Sequence, residues 1–159
     1  MSRFKKAVVG VLIRDGAVLL IRRSKALSQH AGEIGFPGGM IKKRESKISA
    51  LHRELKEELG LGLEKYRVVG ELKDVITAFT GIRIFPIVAL LNYDAEIITS
   101  SEIEKFSFVP LKSLRPLIYS DRVDTELGTV WGATARIIRN LFVEGKKFLP
   151  EISNLIPNP

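Results

Sequence analysis

The sequence predicts an α/β domain, a mixed β-sheet with its faces covered by two helices. Three observations predict it. Two β-rich runs, FKKAVVGVLIR and AVLLIRR, flank the dipeptide Asp15-Gly16. Ile48, Leu51, Leu55 and Leu59 recur at helical spacing between Ser46 and Gly60. Further strand-like runs follow, and then a second helical pattern over residues 129–144.

The hairpin rests on turn chemistry. Both central residues of a tight turn there need positive φ, which Asp and Gly tolerate. The next stretch, SKALSQHAGEIGFPGG, is polar and glycine-containing and reads as a long loop. Ser46 to Leu59 reads as a helix with its apolar stripe on one face and Gly60 as its stop. YRVVGEL, DVITAFT and IRIFPIVALL read as strands, with Gly81 as the turn between the last two. Pro86 should place part of the third at a sheet edge or a bulge, because it cannot donate to a ladder. KFSFVPL alternates like a strand. The second helix should run from Thr129 to Glu144, with Trp131, Thr134, Ile138, Leu141 and Phe142 on or near its packed face and Gly145 at its end. The tail KKFLPEISNLIPNP is apolar enough to dock on the domain.

Composition bounds the function. The 159 residues suffice for one domain, read as 1–159. There is no cysteine, hence no disulfide framework, thiolate metal site or cysteine nucleophile, which fits a cytoplasmic location. The N-terminal apolar run breaks at Arg14-Asp15-Gly16, so it is not read as a secretory signal. No run approaches the ~20 apolar residues that span a bilayer. A net charge of +7 favours anionic partners. The positive residues are dispersed, with few aromatics among them, which argues against a dedicated nucleic-acid partner.

The sharpest feature is RELKEE, Arg53 to Glu58. On a helix, Glu54, Glu57 and Glu58 fall within one arc beside the leucine stripe. Exposed, such like-charge pairs cost a few tenths of a kcal/mol each. At ~6 Å and an effective dielectric of ~20, the repulsion is nearer ~3 kcal/mol per pair. A divalent cation removes that penalty, and an all-oxygen ligand set selects a hard ion such as Mg²⁺ or Mn²⁺. Alone, the cluster reads more readily as a solvated helix face, since charged helix faces are common.

Spacing decides between them. Gly39, five residues, Glu45, seven residues, Arg53-Glu54-Leu55, one residue, Glu57-Glu58, one residue, Gly60-Leu61 resembles the Nudix box at every specified position. The resemblance implies an α/β/α sandwich with a loop–helix–loop catalytic motif. It implies hydrolysis of a diphosphate linked to another moiety. By the same resemblance the Gly39 carbonyl, Glu54, Glu57 and Glu58 are the metal ligands, and Glu45 and Arg53 pair to tie loop to helix. The general base is either Glu54 or a loop glutamate such as Glu102.

The segment before the box narrows the substrate. Leu19-Leu20-Ile21-Arg22-Arg23-Ser24, then Gly32 and Phe36-Pro37-Gly38-Gly39, resembles the signature of coenzyme A pyrophosphatases. Ile21 stands where that pattern has threonine, and Ser28 where it has a second arginine. Residues from Glu102 to Leu111 and from Trp131 to Arg136 resemble the subfamily's later segments. The resemblance implies that Arg23, Ser24, Phe36 and Gly38 form the substrate-binding set. Trp131-Gly132 reads as packing, and His30 as a hydrogen-bonding loop residue. The expected substrate is coenzyme A or an acyl derivative, a small-molecule nucleotide, with no membrane partner and with a homodimer left open. The alternatives are ADP-ribose, dinucleoside polyphosphates or oxidised nucleoside triphosphates, and, in a different class, a non-catalytic nucleotide-binding module.

Overall fold

The structure, a computed structural model, describes residues 4–28 and 30–155. The last residues of the apolar tail, 156–159, lie outside the described set.

Strands β1 (Lys6–Arg14) and β2 (Ala17–Arg23) form the expected hairpin, with Asp15 at φ 52° and Gly16 at φ 71°. The two strands pair only near the turn, Ile13 with Val18 and Arg14 with Ala17. Beyond that they diverge, and the sheet divides. One half holds β1 with β7 (Arg83–Leu91), parallel over Lys6–Ile13, and then β5 (Tyr66–Glu71) and β6 (Val75–Ile76). The other holds β2 with β8 (Ile103–Pro110). The long loop carries two short strands that edge the divide. β3 (Ile34–Gly35) pairs with β2, and β4 (Gly38–Met40) pairs with β1. Phe36 and Pro37 therefore cross from one half of the sheet to the other.

Helix α1 (Lys47–Leu59) covers one face. Alternation along the strands sends Val8, Leu12, Leu19, Ile21, Ile87 and Ala89 to its Leu51, Leu55 and Leu59. Each fully buried leucine contributes roughly 1.5–3 kcal/mol to holding the helix there. Gly10 permits the close approach, since a Cβ on it would lie 3.2 Å from Leu51. Ser46 caps the helix by accepting from the Ser49 N–H, and Gly60 ends it at φ 66°. The other face packs under α3 (Gly132–Glu144) and the short α2 (Leu111–Leu114), where Val11, Val18, Leu20 and Val88 meet Ile138, Leu141 and Phe142. A small hairpin, β9 (Val123–Thr125) and β10 (Gly128–Val130), precedes α3. Leu149 and Ile152 of the tail join this core.

Four expectations change. Pro86 is not at an edge, for β7 lies between β1 and β5. Its carbonyl accepts from Leu72 just where β5 gives way to β6, so the missing N–H faces a break in the ladder. Ile48, in the first turn of α1, is 41 % exposed, whereas Leu51, Leu55 and Leu59 of the same stripe are fully buried. The second helix begins at Gly132, since 128–130 are used by β10. Trp131 is exposed and not packed.

Candidate active site

The divide in the sheet gathers the predicted residues. Arg23 ends β2, Gly38 and Gly39 begin β4, and Glu54 and Glu58 rise from α1. Gly38 adopts φ 150°, and a Cβ there would lie 2.1 Å from the Val8 carbonyl oxygen, so only glycine fits. That backbone aims the Gly38 N–H at Glu58, whose Oε1 accepts it at 3.0 Å. A Cβ on Gly39 would lie 2.5 Å from Glu54 Oε1, so the strand backbone lies directly against that carboxylate.

Glu58 is the only charged or polar residue among the described buried ones, at 2 % exposure. Its Oε2 is buried with no hydrogen-bond partner. Burial pushes its pKa up to about 8; the Arg23 charge and the Gly38 N–H oppose the rise, and the neighbouring Glu54 carboxylate adds to it. A buried carboxylate with one orphaned oxygen, beside a second carboxylate and a bare glycine backbone, fits a divalent cation.

Arg53 organises the rest. Its Nε and Nη2 each donate to Glu45 at 2.9 Å, Nη1 donates to Glu54 Oε1 at 2.7 Å, and Nη2 also donates to the Met40 carbonyl at 3.0 Å. Glu45 additionally accepts from the Lys42 N–H at 3.0 Å. The bond from Arg53 and that N–H hold the Glu45 carboxyl down at about 2, and the carboxylates push Arg53 further above its usual value. One guanidinium thus clamps the 40–45 loop to α1 and fixes the rotamer of Glu54.

Glu57 differs. It is 59 % exposed on its side chain and reaches Arg53 at 3.6 Å. Among the described residues no three acidic or His side chains form a ready-made cation cage. The preformed part is the Glu54–Glu58 pair, with Glu57 on the next position of the same helix.

The remaining predicted residues divide. The Glu102 side chain is exposed, and its carbonyl accepts from the Ser24 N–H at 2.8 Å, which sets it beside the end of β2. The same loop is fastened to α1 by the Ser100 N–H, which donates to the Glu58 carbonyl. The Ser24 hydroxyl accepts from the Ala26 N–H and so shapes a turn. Phe36 is 4 % exposed and sits in the α3-side core, so it supports the loop from beneath rather than facing a ligand. His30 pairs with Glu33 at 2.8 Å, as a loop residue should. Sequence reasoning passed over Met40, whose carbonyl carries no side-chain signal. Arg22, at the end of β2, holds the β9–β10 hairpin through the Leu127 carbonyl at 2.9 Å.

The chain is similar to known proteins in sequence and fold. The NUDIX domain model matches residues 4–126. An uncharacterized Nudix hydrolase, NudL of Citrobacter koseri, is 32 % identical over 162 residues, covering 91 % of this chain and 84 % of that protein. A MutT protein from Methanosarcina mazei superposes with a TM-score of 0.62 at 23 % identity, covering 93 % and 94 % of the two chains. A C. elegans Ap4A hydrolase superposes with a TM-score of 0.59 at 18 % identity, over 93 % and 96 %. These matches and the site geometry place the chain in one family: it is a Nudix hydrolase.

Proposed function

We propose that this Nudix hydrolase cleaves the diphosphate bond of coenzyme A or an acyl derivative in the cytoplasm, with Mg²⁺ or Mn²⁺, releasing 3′,5′-ADP and 4′-phosphopantetheine. The observation that carries the reading is the meeting of the two halves of the sequence signature. Leu19–Ser24 lies along β2, which pairs with β3 just before Phe36, and Phe36–Gly39 leads from there across the divide to Glu58, whose carboxylate feels the Arg23 charge. Ile21 does not weaken the reading, since it is fully buried in the α1-side core and touches no solvent. Ser28 is exposed, so this departure keeps ADP-ribose and dinucleoside polyphosphates as the second reading.

Glu54, Glu58, Glu57 and the Gly39 carbonyl are the groups that would hold the cation. When bound, it supplies positive charge to the phosphoryl oxygens and acidity to a water. The chain's own work is positional and acid–base. Arg53 holds Glu54 in place, and Arg23 offers a guanidinium to the anionic substrate. Water adds to one phosphorus, the bond from that phosphorus to the bridging oxygen breaks, and each product leaves as a phosphate monoester. The proton lost by water goes to a carboxylate. Glu102 is the better candidate, because Glu54 Oε1 is already committed to Arg53.

A substrate panel tests this. Coenzyme A, ADP-ribose, a diadenosine polyphosphate and an oxidised nucleoside triphosphate are compared for products with Mg²⁺ and with Mn²⁺. Coenzyme A should give the highest kcat/KM. Turnover of ADP-ribose with coenzyme A untouched would overturn the substrate assignment and leave the chemistry standing.

A further inference from the structure

The chain has one tryptophan, and it stands in the open. Trp131 is 58 % exposed at the residue before α3, beyond the segment matched by the family model. It gives that helix no side-chain cap. It lines a cavity of about 310 Å³ together with Asp121, Arg122, Gly132, Arg136 and Arg139.

The charge of that cavity is not balanced. Arg139 donates to the backbone oxygens of Leu117 and Ser120, and Arg136 to that of Ile76; neither is paired with a carboxylate among the described residues. Arg122 faces Asp121 at 3.9 Å, a loose contact between exposed groups. An indole face open to solvent and flanked by guanidinium groups suits a planar ring that carries phosphate. The ring stacks, and the cations meet the anion.

The helix beside the cavity is tied to the loop that reaches the hydrolytic site. The Thr134 hydroxyl donates to the Ile34 carbonyl at 3.3 Å, which fixes the first turn of α3 on β3. Ile34 pairs with Arg22, next to Arg23, and β3 leads through Phe36 and Pro37 to Gly38. The helix that carries the cavity is thus tied by its first turn to the segment that leads to the carboxylate pair. We infer that the Trp131 cavity binds the purine ring of a phosphorylated nucleoside, the nucleotide half of the diphosphate substrate, with Arg122 and Arg136 supplying charge for its phosphates. This rests on the nucleotide substrate proposed above.

Because Trp131 is the only indole, its emission reports on this cavity alone. The wild-type protein in EDTA is titrated with AMP, with 3′,5′-ADP and with ribose 5-phosphate. Both nucleotides should produce a saturable change in emission, and the sugar phosphate none. Arg122→Ala should weaken 3′,5′-ADP by about tenfold and adenosine far less, since it removes a charge and not the ring. Trp131→Leu should raise KM for coenzyme A about tenfold with kcat nearly unchanged, and Trp131→Phe should recover part of the loss. No saturable change with either nucleotide at millimolar concentration, or an equal change with ribose 5-phosphate, overturns the inference. Product formation from coenzyme A is read separately. Hydrolysis without an emission response defeats the cavity assignment alone. A response without hydrolysis defeats the coenzyme A reading and leaves the cavity standing.

Discussion

Glu58 should make the metal-free protein less stable as pH rises, and the size of the effect follows from its surroundings. Its carboxyl titrates at 4.5 when solvated and at about 8 when folded. The folded state therefore binds the extra proton across that window. The contribution of Glu58 to stability is complete below pH 4.5, declines through the window and is gone above about 8. At about 1.4 kcal/mol per pH unit, the ceiling on this loss is about 5 kcal/mol. His52 acts in the opposite direction, because burial lowers its pKa below 6.5 and stability then rises as it deprotonates. Comparison with Glu58→Gln isolates the carboxyl, since both proteins keep His52. Urea unfolding in EDTA is measured from pH 5 to pH 9. The wild type should lose ground relative to Glu58→Gln over this range, by at least ~2 kcal/mol within the ceiling set above. Saturating Mg²⁺ should restore the wild type at the alkaline end and leave the variant unmoved. Parallel pH profiles for the two proteins would refute the reasoning, for they would mean that Glu58 is not a buried, half-satisfied carboxyl.

Arg53→Lys keeps the charge and loses the fork that grips Glu45, Glu54 and the Met40 carbonyl. Turnover should fall about 10–100-fold with the secondary structure intact, read by steady-state kinetics beside circular dichroism; wild-type rates would show that the clamp is idle. Gly38→Ala forces a Cβ into the Val8 carbonyl and should destabilise the protein by more than ~3 kcal/mol or prevent folding, read by urea denaturation. Gly62→Ala is the control, since the Cβ there meets only the end of the flexible Glu64 side chain, and it should retain near-wild-type stability.

Much of this site was legible because the chemistry is written at fixed spacing. Gly39, Glu45, Arg53, Glu54 and Glu58 could be grouped before any fold was known, and Asp15-Gly16 and Gly60 marked their turns by the φ they require. What stayed hidden depends on packing. Helical geometry places Glu58 only 20° from Leu51, and no local rule says which side of that boundary is sealed; the approach of β4 seals it. Ile48 looked like core and is 41 % exposed, for spacing alone does not say how far along a helix its apolar stripe stays covered. Pro86 looked like an edge or bulge residue because the break between β5 and β6 is a property of another segment. Trp131 fitted the apolar stripe of α3, but three residues spent on β10 moved it out of the helix. Contacts made through carbonyls, such as those of Met40 and Leu127, leave no mark in side-chain identity.

The account depends most on the Glu54–Glu58 pair holding a divalent ion, and Mn²⁺ reports on that directly. Free Mn²⁺ is followed by its paramagnetic resonance signal as the metal is titrated into wild-type protein and into the Glu54→Gln, Glu58→Gln double variant, at pH 8.5, above the value near 8 where Glu58 ionises. The wild type should deplete the free signal with an affinity at least about tenfold above that of the double variant, in line with the loss of two carboxylate ligands. Equal affinity in the two folded proteins would place the metal elsewhere and contradict the account.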